Sequence, residues 1–129
     1  MKKFLAALMV LGVITAYSLG RAEEGKKKTT LKGTLVDTKC YLDGGDTGND
    51  HGTMKACGTS CLKDGSPAGL LVGKKLYILI FPAPTFADYV GKTVEITGEV
   101  RQGNLIPEKA FVVEGGKKTA IKMAGAAMM

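Results

Sequence analysis

The stretch Thr93-Val-Glu-Ile-Thr-Gly-Glu-Val-Arg101 decides the fold of this chain. Apolar or small residues alternate with polar ones along it, which is the period of a strand with one buried face. Gln102-Gly103-Asn104 follows and predicts a tight hairpin turn, in which Gly103 supplies a positive φ. The chain then returns from Leu105 to Val113, where Pro107 requires an edge position or a bulge. These residues predict an antiparallel hairpin at the centre of a mainly β domain.

Further short elements are predicted on both sides of this hairpin. A first strand runs from Leu31 to about Lys39, a loop rich in Gly and Asp spans 43–52, and a short strand follows at 69–72. The continuous apolar run 76–81 predicts a central strand buried on both faces. A last short strand is predicted at 120–123.

A helix is predicted over Thr53–Lys63, where apolar residues and two cysteines recur at helical spacing and Thr53 is the candidate N-cap. One or two helical turns are also predicted at Thr85–Val90, ended by Gly91. Five or six short strands with one mid-chain helix before a clean hairpin, in the order strand, strand, strand, helix, strand, strand, are typical of the OB-fold. We therefore expect a small five- to six-stranded OB-like barrel over residues 31–123 with a short Cys-bearing helix. A sandwich and an open meander are the alternatives, and residues 124–129 are expected to form a flexible tail.

The N-terminus has the pattern of a signal peptide over residues 1–22. Lys2 and Lys3 precede an apolar run of about 16 residues, which is shorter than the roughly 20 that a membrane span needs. Gly20-Arg21-Ala22 then places small residues at the −3 and −1 positions of a cleavage site. We expect a protein that is periplasmic or extracellular, with no stable membrane anchor after cleavage and with a disordered leader at 23–30. A retained anchor is the alternative.

The charge of the mature chain argues against nucleic-acid binding. The whole chain carries +6, but Lys2, Lys3 and Arg21 belong to the signal, so 15 of the 18 basic residues and all 12 acidic ones remain and the net charge is +3. Aromatic residues make up 6% of the chain. Proteins that bind single-stranded nucleic acid combine a strongly basic groove with stacking aromatics, and neither is expected here.

The residues that can carry chemistry lie close together in the sequence. Cys40, Cys57 and Cys61 are the only cysteines, and His51 is the only histidine. The spacing Cys57-x-x-x-Cys61 puts two thiols on one helix face, with their Cβ atoms about 5–6 Å apart. The segment that carries Cys40 and His51 can fold back over that face, so we expect all four side chains to converge.

Two interpretations of this cluster remain open. In the first, three thiolates and one imidazole form a Cys3His site for a soft metal ion, Zn or Cu. In the second, export favours a disulfide between Cys40 and either Cys57 or Cys61, which leaves one free thiol. We favour the metal, because a disulfide alone leaves the third cysteine and His51 without a role.

Three functional classes follow from these interpretations. The favoured one is an exported, non-enzymatic binding domain whose cluster of Cys40, His51, Cys57 and Cys61 holds a metal ion. The alternative is a disulfide-stapled structural or interaction module of the cell envelope, without a metal, whose partner would be another envelope protein. A thiol redox enzyme is the third option, but no C-x-x-C motif supports it.

The cluster also carries a resemblance to a family. Gly33-Thr-Leu-Val-Asp37-x-x-Cys40, followed by His51, Cys57-x-x-x-Cys61 and Gly65, resembles the pattern of a family of small exported bacterial domains. The similarity continues through Tyr77-Ile-Leu79 and the segment 86–98, and it covers roughly residues 31–114. It implies an OB-like domain in which the three cysteines and the histidine act as a unit, and it implies no particular activity.

Overall fold

The computed structural model describes residues 27–124 as a mainly β domain. The strands are β1 (Lys28–Asp37), β2 (Ala68–Val72), β3 (Lys75–Leu79), β4 (Thr93–Arg101), β5 (Asn104–Glu114) and β6 (Lys117–Ala120). The helices are α1 (Thr38–Gly44), α2 (Cys57–Lys63) and a 3-10 helix (Ala83–Tyr89). The predicted signal peptide at 1–22, residues 23–26 of the predicted leader and residues 125–129 of the predicted tail lie outside the described residues.

Five of the strands are hydrogen-bonded in a ring. β1 pairs with β2 on one side and with β4 on the other, β2 continues to β3, and β4 continues to β5, all antiparallel. A short parallel pairing of β3 with β5 closes the ring. β6 adds to the far end of β5. Both α-helices lie in the connection between β1 and β2. This connection also carries the three cysteines and His51.

The hairpin that decides the fold is confirmed. Val94 and Ile96 are fully buried, while Glu95 between them is only partly covered. Both Gln102 (φ 50°) and Gly103 (φ 78°) adopt the left-handed conformation that a two-residue turn between twisted strands requires. The inward alternation stops after Gly98, because Val100 at the rim of the ring is 36% exposed.

Pro107 lies beside a bulge, as expected. The pairing of β4 with β5 shifts register between Thr97 and Gly98, where Thr97 is opposite Lys109 but Gly98 is opposite Pro107. The extra residue is Glu108, so the proline, which has no N–H to donate, falls where the ladder is already interrupted.

The interior of the ring is aliphatic, with one large aromatic residue. Phe86 from the 3-10 helix is fully buried, and its ring packs edge-on against that of Phe81 at 5.9 Å between centroids. The buried cluster consists of Leu35, Leu62, Ala68, Leu70, Leu79, Ala83, Phe86, Ala87, Val90, Val94, Ile96, Leu105, Ala110, Val112 and Ile121. Leu62 of α2 belongs to this cluster, so the helix that carries two cysteines is anchored in the core.

The first strand begins earlier than predicted. β1 starts at Lys28, so the last three residues of the predicted disordered leader 23–30 are in a strand. Contacts with neighbouring strands fix these residues: the hydroxyl of Thr30 in β1 hydrogen-bonds that of Thr97 in β4 at 2.8 Å. The Lys28 ammonium also forms an ion pair with Glu108 at 2.8 Å.

The helical content of the β1–β2 connection differs from the prediction. α1 occupies residues that were assigned to the end of the first strand and to the loop, so Cys40 is helical. The predicted helix over 53–63 begins only at Cys57, because Ala56 has a left-handed backbone (φ 51°) and offers no side-chain cap. Thr53 therefore is not an N-cap.

The apolar run 76–81 is not a central strand buried on both faces. β3 ends at Leu79 and is only partly covered over most of its length, and Ile80 beyond it is 49% exposed. In a ring of strands only the inward face of each strand is covered, so a continuous apolar run leaves half of its side chains outside. No helix among residues 27–124 has the length and apolar character needed to cross a membrane.

Candidate metal centre

Asp37 sets the position of Cys40 by starting α1. Its Oδ1 accepts the backbone N–H of Lys39 at 3.0 Å, which satisfies one of the free donors of the first turn. At the other end Gly45 is left-handed (φ 76°), and its N–H donates to the carbonyl of Tyr41 at 2.8 Å. Two ordinary caps thus fold a seven-residue helix directly after β1, with Cys40 in its first turn.

Asn49 fastens the loop that carries His51 to the start of α2. Its side-chain oxygen accepts the N–H of Thr59 at 2.8 Å, and its backbone carbonyl accepts the N–H of Gly58 at 3.0 Å. The Thr59 hydroxyl in turn donates to the carbonyl of Ala87 in the 3-10 helix at 2.8 Å. A Cβ on Gly58 would lie 2.6 Å from a methyl of Val90, so only glycine permits this approach. The loop and α2 are therefore held together on the barrel.

His51 sits in a tight turn that orients its ring. Its backbone N–H and C=O pair with those of Met54, each at 3.0 Å, across Gly52 at φ 60°. The ring Nε2 lies 2.7 Å from the carbonyl oxygen of Gly48. A carbonyl can only accept, so Nε2 carries the hydrogen, and in the neutral ring Nδ1 has a free lone pair. That Nδ1 is buried and has no hydrogen-bond partner among the described residues.

The predicted ligands come together in two overlapping groups. Sγ of Cys40, a ring nitrogen of His51 and Sγ of Cys57 lie within 4.8 Å of one another. Sγ of Cys40 and Sγ of Cys61 also lie within 4.8 Å of each other and of a carboxylate oxygen of Asp37. All four predicted residues are therefore in the cluster, and Cys40 is common to both groups.

Asp37 is a member of the cluster that the sequence analysis did not count as a ligand. Its residue is 1% exposed, and its Oδ1 accepts the hydroxyl of Ser66 at 2.7 Å as well as the Lys39 N–H. Its Oδ2 is buried and has no partner among residues 27–124. Asp37 stands three residues before Cys40, in the D-x-x-C part of the motif, and that spacing was the available signal.

The carboxylate and the thiols influence one another's ionisation. Burial opposes ionisation of Asp37, but the hydrogen bonds from Ser66 and from the Lys39 N–H, together with the nearby thiols of Cys40 and Cys61, hold its pKa below the usual value. Burial and the neighbouring carboxylate raise the pKa of Cys40 to about 12 and that of Cys61 to about 11. The two thiols are therefore protonated near neutral pH unless a cation replaces the protons.

The three thiols carry no disulfide in the structure. Cys40 is close to both of the others, so its sulfur is the common partner for either pairing and for either ligand group. The side chains of the three cysteines and of His51 are half-buried. They can therefore be reached from solvent, and Leu42 (68% exposed) and Met54 (60%) lie nearby in the sequence on α1 and in the loop.

The grouped sulfur and nitrogen atoms suit a cation that prefers soft ligands. Thiolates held 2.3 Å from a tetrahedral ion are about 3.8 Å apart, so atoms within 4.8 Å of one another need to move by only about an ångström to close on one ion. A metal-bound histidine usually donates its second ring N–H to a backbone carbonyl or a carboxylate, and the contact from Nε2 of His51 to Gly48 is of this kind.

Comparisons with family models, with curated proteins and with solved structures found no match for this chain.

Proposed function

We propose that this protein is an exported, non-enzymatic OB-like domain that binds a soft metal ion, Zn or Cu, through Cys40, His51, Cys57 and Cys61. The barrel assignment rests on the ring of five strands with a parallel contact between β3 and β5 and on the position of the 3-10 helix between β3 and β4. Export rests on the signal-peptide pattern at residues 1–22.

The observation that carries the metal proposal is the state of the His51 ring. A buried ring nitrogen without a partner is costly unless something pairs with it. Here Nε2 is occupied by Gly48 and Nδ1 is left with a lone pair, and a ring nitrogen of His51 lies within 4.8 Å of two thiols. A cation bound to Nδ1 and to the sulfurs of Cys40 and Cys57 satisfies all three atoms at once.

Chemistry narrows the choice of ion. Three sulfur atoms and one imidazole are ligands for Zn²⁺ or Cu(I), whereas Ca²⁺ and Mg²⁺ prefer oxygen. Binding must displace the thiol protons, so affinity rises with pH. A binding role is also consistent with the absence of a C-x-x-C motif from the sequence.

Elemental analysis of the purified, reduced protein tests the proposal. We expect Zn or Cu in stoichiometric amount in the wild type and none in Cys40→Ser, because Cys40 belongs to both ligand groups. Leu42→Ser is the matched control, since it places the same new residue at an exposed position of the same helix. Wild-type protein without metal after reconstitution with either ion under reducing conditions would refute the proposal.

A disulfide-stapled module of the cell envelope is the second candidate, and the position of Cys40 favours it. The Cys40 sulfur lies within 4.8 Å of both Cys57 and Cys61, so a bond to either needs only a small rearrangement. Its signature is a mass two hydrogens lighter than that of the reduced chain, with one titratable thiol and no metal. The module would then act by docking another envelope protein.

A further inference from the structure

We propose that the centre holds two divalent ions, the second bound by Asp37, Cys61 and the shared thiolate of Cys40. This inference rests on the proposed metal-binding function and extends it. Cys40 then bridges the two ions, one on the side of His51 and Cys57 and the other on the side of Asp37 and Cys61. The ligand class is a borderline divalent cation such as Zn²⁺, which accepts sulfur, nitrogen and carboxylate oxygen.

The geometry of the ligands supports two positions. Within residues 27–124 the candidate ligand atoms form two groups of three that share Cys40, and no group of four is within 4.8 Å in every pair. An ion seated between Cys40, His51 and Cys57 therefore leaves Cys61 at its edge, beside Asp37. The ligand atoms of the second group lie as close together as those of the first, within 4.8 Å. Both groups can hold an ion at the same time if the Cys40 thiolate bridges the two ions.

Asp37 supplies an independent sign of a cation-binding position. It is 1% exposed, and no lysine or arginine of the described chain forms an ion pair with it. Each oxygen of a buried carboxylate normally has at least one hydrogen-bonding or ionic partner. Its Oδ1 is used by Lys39 and Ser66, whereas its Oδ2 is buried without a partner. One oxygen of this carboxylate lies within 4.8 Å of the sulfurs of Cys40 and Cys61.

The same contacts prepare Oδ2 for an ion. The N–H of Lys39 and the hydroxyl of Ser66 both bind Oδ1, at 3.0 and 2.7 Å, and so fix the rotation of the carboxylate. Metal-binding carboxylates are commonly held in this way by outer partners, which reduces the entropy lost on binding. Ser66 lies three residues after the end of α2, and its N–H donates to the Cys61 carbonyl at 2.9 Å. Ser66 therefore contacts both the carboxylate of Asp37 and the backbone of Cys61, and so helps to position both ligands.

Charge balance favours two ions over one. When all three cysteines are ionised, the cluster contains three thiolates, the Asp37 carboxylate and a neutral imidazole. One divalent ion leaves two negative charges uncompensated in a half-buried site, and uncompensated buried charge is unfavourable. Two divalent ions make the set neutral.

Zinc titration followed by native mass spectrometry tests the second position. The metal-free, reduced wild-type chain is titrated with Zn(II) in the presence of a weak competing chelator. We expect two zinc ions per wild-type chain and one per Asp37→Asn chain. Asparagine is also a good N-cap and keeps a carbonyl oxygen for Lys39 and Ser66, so the fold of α1 is retained. Asp43→Asn, at an exposed position of the same helix, is the control and should still bind two.

The outcomes separate the two proposals. One zinc ion per wild-type chain would overturn the second position and leave the metal-binding function standing, whereas no zinc ion would refute both. Two zinc ions in Asp37→Asn would also overturn the inference, because the second ion would then lie elsewhere. Cd(II) provides a readout that needs no variant: two distinct cadmium resonances in the NMR spectrum of the wild type support the bridged pair, and a single one contradicts it.

Discussion

Replacing Asp37 by Asn should make the thiols of Cys40 and Cys61 react faster with iodoacetamide in the metal-free protein. Alkylation requires the thiolate, so the rate follows the ionised fraction of each thiol. The carboxylate of Asp37 raises the pKa of both thiols, second only to the effect of their burial. Asparagine removes the charge while it keeps the cap of α1, so the change acts on the thiols rather than on the fold.

The size of the effect can be worked out for pH 8. A cysteine with an ordinary pKa of 9.0 is about one-tenth ionised, whereas Cys40 at about 12 is roughly one ten-thousandth ionised and Cys61 at about 11 roughly one-thousandth. Cys40 should therefore be alkylated about a thousandfold more slowly than a cysteine of the unfolded chain, and Cys61 about a hundredfold more slowly. Asp37→Asn should bring both rates part of the way towards the unfolded value, since burial remains.

The assay is timed alkylation of chelator-treated, reduced protein, with each modified cysteine located by peptide mass spectrometry. Repeating it at increasing pH should raise the Cys40 rate about tenfold per pH unit up to about pH 11, because ionisation is far from complete below that. Asp43→Asn serves as the control and should leave both rates unchanged. The reasoning is refuted if wild-type Cys40 is modified at the unfolded rate at pH 8, or if Asp37→Asn does not change that rate.

Three further predictions concern the acid stability, the core and the processing of the chain. Because the pKa of Asp37 is lower in the folded chain than in the unfolded one, its contribution to the free energy of unfolding is present above about pH 4 and is lost as the pH falls through the folded value; acid titrations followed by circular dichroism should show a shallower loss for Asp37→Asn, and parallel curves would contradict this. Ile96→Ala removes a fully buried side chain and should lower the free energy of unfolding by about 2–5 kcal/mol in urea titrations, whereas Glu95→Ala, which loses only a surface ion pair with Lys118, should cost about 0–1 kcal/mol; equal effects would contradict the register. The intact mass of secreted protein should correspond to a chain that begins at Glu23, and a mass that retains residues 1–22 would exclude cleavage at that position.

Strong local patterns predicted the part of the fold around β4. The alternation over 93–101, the glycine in the hairpin turn and the proline in β5 are each local signals, and each is confirmed. The prediction of a strand buried on both faces at 76–81 was wrong, because periodicity does not distinguish such a strand from one in a closed ring. Closure depends on the parallel contact between β3 and β5, which is remote in sequence.

The sequence predicted that Cys40, His51, Cys57 and Cys61 lie close together, as they do, but it did not predict their local structure. Convergence of the cysteines and His51 followed from their spacing, whereas α1 was missed because a seven-residue helix has too few turns to show a periodic apolar face. Its N-cap Asp37 and its C-cap glycine were visible but were assigned to a strand end and a loop. Asp37 was also not predicted as a member of the cluster, because its environment includes Ser66, which lies 29 residues further along the chain.

The position of the cysteines between β1 and β2 has a consequence for the order in which the molecule is assembled during synthesis. Asp37, Cys40, His51, Cys57, Cys61 and Ser66 all precede β4 in the chain, since β4 begins only at Thr93. β1 must wait for β4 to cover its second edge, and a contact between residues so distant in sequence forms late. A chain that is still folding can therefore expose its thiols to metal ions or oxidants before β1 has paired with β4. The proposed metal ion and the alternative disulfide would therefore compete for the thiols during folding as well as in the folded chain.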